Sequence, residues 1–290
     1  MSAKKIINKL KRKEAPKYVD LHLHTTKSDG LLTPEELVKA AYKLKYKTIA
    51  ITDHDTLEGI SEGRAAAEKY GIEIIPGSEL TAYYYNHEIH ILEYFIEPDD
   101  KHFLKYLNKF KNARFERAKE MVRLLNKIGI DIDFNEIIKK YDSAALGRPH
   151  IARELVEKGY ASEMQEAFKN FLVPGKPAYV PKYLIGPREI IQLIRDCNGI
   201  PVFAHPYYYF NYEALLKKMV DMGLMGIEVY HTYHPPHLVK KLKSLAKKYN
   251  LLITGGSDAH SGPKGKYLPF GNIRLPQIIA KNLRKARKIT

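Results

Sequence analysis

Residues 18–24, Tyr-Val-Asp-Leu-His-Leu-His, alternate strictly between apolar and polar after the first position. In an extended strand that alternation places Asp20, His22 and His24 on one face and Val19, Leu21 and Leu23 on the other. The apolar face needs a cover of packed helices. The polar face carries two imidazoles and a carboxylate, which are costly to bury without partners. A chain built on such a strand is confined to folds that enclose a polar interior, and cation coordination there removes the cost of burying the imidazoles.

The rest of the chain supplies the enclosure. Short β-rich runs at 48–52, 72–75, 201–204, 227–230 and 251–254 are interleaved with amphipathic helices, the pattern of βα units around a parallel sheet or barrel. Thr33-Pro34-Glu35-Glu36 opens the first helix, with Thr33 as cap, Pro34 in the first turn and Glu36 completing a capping box. Gly71 stops the second helix at Tyr70. Residues 81–85 and 88–95 read as a hairpin around Asn86-His87. From about Lys101 to Phe171 the pattern is helical throughout, with Phe103, Leu104, Leu107, Phe110, Met121, Leu124 and Leu125 at helical spacing as core. The expected organisation is a basic tail over 1–17, a discontinuous barrel domain over 18–98 and 175–275, a helical insertion domain over 99–174, and a basic C-terminal segment over 276–290.

Charge matters because the net +15 resembles a nucleic-acid signal. Residues 1–17 carry +6 of it and residues 281–290 carry +5, which leaves +4 for everything between. Two basic ends read as solvated tails, with weak RNA contact as the alternative. The single cysteine, Cys197, excludes an internal disulfide and reads as a small buried hydrophobe. No run has the length of a membrane span and the N-terminus lacks an apolar signal core, so a cytoplasmic location is expected. No feature demands an obligate protein partner.

The chemistry collects where strands end. Asp29 follows the opening strand in a loop. His54 ends the second strand within Asp53-His54-Asp55, and Glu79 follows the third in Pro76-Gly77-Ser78-Glu79. His90 lies in the hairpin, His205 ends the strand at 201–204, and Asp258 and His260 follow the strand at 251–254. Most of these positions are at the end of a βα barrel where active sites are built. The absence of cysteine from the set argues against a thiolate zinc site, while nitrogen and carboxylate donors suit manganese, iron or zinc. Nine donors are too many for one cation and would serve up to three, with one carboxylate bridging. Three dications against three carboxylates leave a surplus of positive charge, which favours anionic substrates such as phosphate esters. Asp20, Asp53 and Asp55 are expected to orient ligating imidazoles from behind.

Taken together, Tyr18-Val-Asp-Leu-His-Leu-His-Thr25, Ile51-Thr-Asp-His-Asp55, Pro76-Gly-Ser-Glu79, His90, Ala204-His-Pro206 and Gly256-Ser-Asp-Ala-His260 resemble the PHP family, named for polymerase and histidinol phosphatase. The similarity covers nearly the whole chain. It is strongest to stand-alone members that are nucleoside 3',5'-bisphosphate phosphatases or 5'-to-3' exoribonucleases. The resemblance implies a distorted (β/α)7 barrel with a helical insertion and a trinuclear centre. It assigns His22, His24, Glu79 and Asp258 to one metal. Glu79 then bridges to a second, held also by His90 and His205, and Asp29, His54 and His260 hold the third.

The expected activity is hydrolysis of phosphate esters of nucleotides or short RNA by a metal-bound hydroxide, with Asp258 as a candidate proton acceptor besides its ligand role. Arg148, which opens a helix within Gly147-Arg148-Pro149-His150, is a candidate phosphate clamp. His231 and His234 follow a strand at the same barrel mouth and are candidates for substrate contact. Tyr207, Tyr208 and Tyr209 are placed to stack on a base, and His87, His102 and His237 read as ordinary. Three alternatives stand beside this reading: a small-metabolite phosphatase such as a histidinol-phosphate phosphatase, a nucleic-acid-binding module with structural metals, and an amidohydrolase-type enzyme. The third set of donors, Asp29, His54 and His260, argues against the last.

Overall fold

The computed structural model describes residues 16–85, 87–141, 146–181, 185–263 and 268–287. In chain order the elements are β1 (Tyr18–Asp20), α1 (Pro34–Lys43), β2 (Tyr46–Ile51), α2 (Gly59–Tyr70), β3 (Glu73–Tyr84) and β4 (His87–Tyr94). Then come α3 (Lys101–Lys127), α4 (Phe134–Lys140), α5 (Arg148–Glu157) and α6 (Met164–Ala167), which runs into a π turn over Phe168–Leu172. The chain continues with α7 (Pro187–Asp196), β5 (Ile200–Phe203), α8 (Tyr212–Asp221), β6 (Gly226–His231), α9 (Pro236–Lys248), β7 (Leu252–Gly256), β8 (Leu275–Pro276) and α10 (Ile278–Arg287). Contacts divide the chain into two compact units, one of Met1–Pro98 with Pro187–Thr290 and one of Asp99–Gly186.

The first unit is a nearly closed barrel whose strands lie in the order β7-β6-β5-β4-β3-β2-β1-β8. The β1-β2-β3 and β5-β6-β7 runs are parallel, and β4 is antiparallel to both neighbours. Closure comes from the chain just past β1. The Leu21 amide donates to Gly255 O (3.2 Å), the Asp258 amide to His22 O (2.9 Å) and the His24 amide to Ala259 O (3.0 Å). Residues 21–24 are therefore extended but leave the regular ladder after Asp20, where a strand through His24 was expected. Part of the reason is that Thr52 Oγ1 accepts from the Leu23 amide, substituting a side chain for a backbone partner. Gly256 is required at this closure, because a Cβ there would sit 2.3 Å from the His22 Cβ.

The third strand is also longer than the sequence suggests. β3 runs unbroken through Glu79 into the hairpin, pairing with β2 up to Pro76 and with β4 from Gly77 onward. Gly77 permits the change of partner, since a Cβ there would meet Glu93 O at 2.7 Å. Local signals elsewhere act as written. Thr33 Oγ1 accepts from the Glu36 amide (3.2 Å), the Glu36 carboxylate accepts from the Thr33 amide (3.0 Å), and Gly71 closes α2 in the left-handed region (φ 63°).

Val19 and Leu21 join an apolar cluster with Ala50, Ile75, Leu92, Tyr94 and Val202, sealed by Ile279, Ala280 and Leu283 of α10. The C-terminal segment is thus not a solvated basic end. Its Arg284 pairs with Glu73 (2.7 Å) and its Arg287 lies over the Phe95 ring (5.1 Å), so a charged helix is docked by its apolar face. Residues 1–15 and 288–290, which hold most of the remaining tail charge, lie outside the described residues. The second unit packs α3, α4, α5 and α6 around Met121, Val122, Leu125, Ile137, Ile151 and Leu155, all nearly or fully buried. Among the described residues, no helix is long and apolar enough to cross a membrane.

Candidate metal centre

Glu79 is the hub. Its carboxylate is buried (1% exposed), and five imidazoles converge on it in two sets. Oε2 faces His22 Nε2 (3.2 Å), His24 Nε2 (3.2 Å) and His54 Nδ1 (3.4 Å). Oε1 faces His90 Nδ1 (2.9 Å) and His205 Nε2 (2.8 Å). Asp258 Oδ1 closes on His22 Nε2 (3.3 Å) and His24 Nε2 (3.2 Å). Asp29, half exposed, approaches His24 Nδ1 (3.5 Å), His260 Nε2 (3.3 Å) and His54 Nε2 (3.7 Å). Three groups have donor atoms mutually within 4.8 Å: His22, His24, Glu79 and Asp258; His24, Asp29, His54 and His260; and His54, Glu79 and His90. His205 stands outside these groups but touches His90 Nδ1 at 3.3 Å.

The outward nitrogens explain which way the inward ones face. His22 Nδ1 lies 3.1 Å from Glu228 Oε1, His260 Nδ1 lies 2.9 Å from Asp258 O, and His90 Nε2 lies 3.2 Å from Glu88 Oε1. A neutral ring donating to each of these acceptors turns its other nitrogen, as a lone pair, toward the carboxylates. Lone pair and carboxylate oxygen then face each other and need a positive charge between them. His22 Nε2, both nitrogens of His24, His205 Nδ1 and Asp258 Oδ1 are buried without a hydrogen-bond partner. Nitrogen and carboxylate donors arranged this way fit divalent cations.

In the metal-free protein, protons answer the same demand. Burial opposes charging His24 and His90, but Asp258 and Glu79 around the first, and Glu79 and Glu88 around the second, outweigh it and raise both to about 10. Burial likewise opposes charging His22, and Glu228, Glu79 and Asp258 push it well upward. His54 goes the other way, since burial prevails and lowers it to about 4. Burial disfavours an ionised Glu79, yet His90, His22 and His54 hold it well below the usual carboxylate range. Two of the converging residues sit in left-handed backbone, His205 (φ 26°) and Asp258 (φ 55°). Such conformations cost about 1–3 kcal/mol each for residues other than glycine and persist where surrounding structure holds them.

Three carboxylates depart from expectation. In the described contacts Asp20, Asp53 and Asp55 brace backbone amides and hydroxyls rather than imidazoles. Asp20 accepts from the Ser257 amide (2.9 Å) and hydroxyl (2.7 Å). Asp53 accepts from the Thr25 amide and hydroxyl (2.7 Å each) and from Ser28 Oγ (2.6 Å), and Asp55 from the Thr81 amide (2.9 Å). Asp20 and Asp53 thereby fix the segments that carry Asp258 and Asp29, and Asp55 ties the His54 loop to Thr81 of β3. The role expected of them belongs to Glu228, fully buried on β6, which also accepts from the His205 amide (2.8 Å). Its signal was a lone acid within the apolar run Gly226-Ile-Glu-Val-Tyr. A bulge between Glu228 and Tyr230 resets the strand's alternation, so Glu228 and His231 both reach the interior.

His231 is buried, with Nε2 3.3 Å from Asp258 Oδ2 and Nδ1 accepting from the Tyr233 amide (3.2 Å). That pairing leaves the proton of the neutral ring on Nε2, aimed at Asp258. His234 is also buried and donates through Nδ1 to Val229 O (2.9 Å). Neither residue lines the cavity that opens over the centre. Arg148 belongs to the second unit, where its guanidinium lies over the Phe168 ring at 5.8 Å. The cavity, about 910 Å3, is lined by Asp29, His54, Glu79, His90, His205, Asp258 and His260 and continues between the β3-β4 hairpin and α8.

The model of the PHP domain matches residues 20–255. The chain belongs to this family. It is 32% identical over 252 residues to the 3',5'-nucleoside bisphosphate phosphatase of Chromobacterium violaceum, covering 85% of this chain and 88% of that protein. It is 35% identical over 247 residues to the 5'-3' exoribonuclease Rnm of Escherichia coli, covering 83% and 84%. A crystal structure from Bifidobacterium adolescentis, described as a metal-dependent phosphoesterase, superposes with a TM-score of 0.79 at 31% identity over 93% of this chain and 96% of that one. The PHP barrel of this chain is thus shared in sequence and in shape, and its cluster of histidines and carboxylates could hold divalent metals.

Proposed function

We propose that this PHP enzyme hydrolyses phosphate monoesters or terminal phosphodiesters of nucleotides or short RNA at a centre of up to three divalent cations. That the chain is a metal-dependent phosphoric ester hydrolase follows from its family and from relatives that are phosphatases and exoribonucleases. The observation that carries the reading is the double-sided coordination of Glu79, three imidazoles on one oxygen and two on the other. A carboxylate so placed can bridge two cations, with Asp258 beside one and Asp29, His54 and His260 grouped for a third. Manganese, iron and zinc suit the donors equally.

Bound cations would supply a water of lowered pKa and neutralise charge on the phosphoryl oxygens. The chain's own residues do the rest. Glu228, Glu88 and the Asp258 carbonyl hold His22, His90 and His260 in the tautomers that face inward. Asp258 is kept ionised, because burial is outweighed by His22, His231 and His24, so it can accept a hydrogen bond from an attacking water. His231, with its proton on Nε2 directed at Asp258 Oδ2, keeps that carboxylate oriented from behind. A cytoplasmic setting accords with nucleotide substrates.

A phosphate-release screen with added manganese tests the reading, using nucleoside monophosphates, nucleoside bisphosphates, 5'-phosphorylated oligonucleotides, sugar phosphates and histidinol phosphate. Release from nucleotides or oligonucleotides above the other esters is expected. Preference for histidinol phosphate would replace the substrate class, and turnover of amides or lactones above all phosphate esters would overturn the reading.

A further inference from the structure

The two oxygens of Glu79 meet imidazoles from different strands, and two of those residues share a support on their far side. Glu228 lies on β6 and is fully buried. The β5-β6 register sets Phe203 beside Ile227, so Glu228 stands next to the turn that carries His205. Its Oε1 is 3.1 Å from His22 Nδ1, and its Oε2 accepts from the His205 amide (2.8 Å). On the near side, His22 Nε2 faces Glu79 Oε2 (3.2 Å) and His205 Nε2 faces Glu79 Oε1 (2.8 Å). One buried carboxylate therefore reaches behind a residue on each side of the bridge.

Both of these contacts come from donors. A backbone N–H can only donate. His22 must donate from Nδ1 if its Nε2 is to turn a lone pair toward a cation. Two donors facing two oxygens call for a carboxylate. A side-chain amide in the same place offers one oxygen and one NH2 group, so one of the two donors would meet another donor. Either His22 then turns its proton inward, where a cation belongs, or the His205 amide, in buried left-handed backbone (φ 26°), loses its acceptor. Glu88 provides the contrast. Its Oε1 lies 3.2 Å from His90 Nε2 and its Oε2 accepts from the Tyr83 hydroxyl, so among imidazoles in the described contacts it backs the one ring of His90. A hydroxyl can accept as well as donate, so an amide at position 88 can keep both contacts.

We infer that Glu228 is a positioning residue for two cations at once: through the His22 ring and the His205 backbone it sets the ligands on both sides of Glu79. This rests on the reading of Glu79 as a bridge between two cations. It adds that a residue outside the ligand set governs both of those sites together.

The test compares the full-length chain with its Glu228→Gln and Glu88→Gln variants, both close to isosteric, after circular dichroism confirms that each is folded. Manganese binding is followed by calorimetric titration and by electron paramagnetic resonance, which separates lone Mn2+ from exchange-coupled pairs. Intact protein is expected to show coupled pairs. Glu228→Gln is expected to weaken two equivalents of manganese by roughly 10- to 100-fold each and to lose the coupled signal at loadings where intact protein shows it. Glu88→Gln is expected to weaken at most one equivalent, by less than about tenfold. If Glu228→Gln is unfolded, Glu228→Asp takes its place; it keeps the charge but withdraws both oxygens by one methylene, and the same loss over two equivalents is expected. Folded Glu228 variants that keep the coupled pair, or that weaken only one equivalent, overturn the proposal. Intact protein that binds manganese without coupled pairs overturns the bridging reading of Glu79 and this proposal with it, and that result is seen before any substitution is made.

Discussion

The two units of the chain bury different things. The barrel unit encloses Asp20, His22, His24, Asp53, Glu79, His205, Glu228, His231 and Asp258, all below a tenth exposed. The helical unit buries Met121, Leu125, Ile137, Ile151, Leu155 and Leu172, and Glu154 is its buried charge among the described residues, paired with Lys140 at 2.7 Å. An apolar core is stable on its own terms, whereas a crowd of carboxylates and imidazoles persists only with protons or cations among them. Substitutions in the barrel centre should therefore act on chemistry and metal content, and substitutions in the helical core on stability.

The largest effect expected from that contrast is at the hub. Glu79→Gln keeps the shape but removes the bridging charge, and should lower turnover by roughly three orders of magnitude together with bound metal. Turnover and metal content near those of the intact protein would break the distinction. On the other side, Leu155→Ala should cost about 2–5 kcal/mol, read by denaturant melts, while metal per folded chain stays as it was. A stability loss under 1 kcal/mol would show that the helical core is not the structural half of the comparison.

Between these lies a linkage between protons and metal. His24 and His90, raised to about 10 by their carboxylates, keep their protons through the neutral range in metal-free protein. A cation must displace those protons, so affinity falls as pH falls, by roughly tenfold per pH unit for each proton released. Calorimetric titration at pH 7 and pH 8, in two buffers of different ionisation enthalpy, counts them. Affinity that does not vary with pH, with no proton release, would mean that the cluster is not charged in the way its geometry requires. The smallest effect belongs to the periphery of the barrel: Thr33→Ala should cost about 1 kcal/mol through loss of the capping box, with metal binding intact.

Local rules were the legible part of this sequence. The Thr33 cap, the Gly71 stop and the strand spacings depend on neighbours a few residues apart, and the structure follows them. The gathering of these side chains was legible too, since most stand at or near a strand end and parallel strands bring such ends together, whereas Glu79 and His90 lie inside β3 and β4. What escaped depends on partners far along the chain. Glu228 faces His22 across 206 positions, through a bulge that alternation alone does not reveal. Asp20, Asp53 and Asp55 read as supports for rings because nothing local shows that Ser257, Thr25, Ser28 and Thr81 are nearer. The last helix read as charge because four basic residues obscured the apolar stripe of Ile279, Ala280 and Leu283.

The central claim is that Glu79 sits between cations that cleave phosphate esters. The direct measurement is elemental analysis of protein purified without chelator, paired with phosphate release from a nucleotide as metal is removed and returned. The account predicts more than one equivalent of divalent metal per chain, activity lost on chelation, and its return only as occupancy rises past one. Full activity with at most one metal per chain would contradict it.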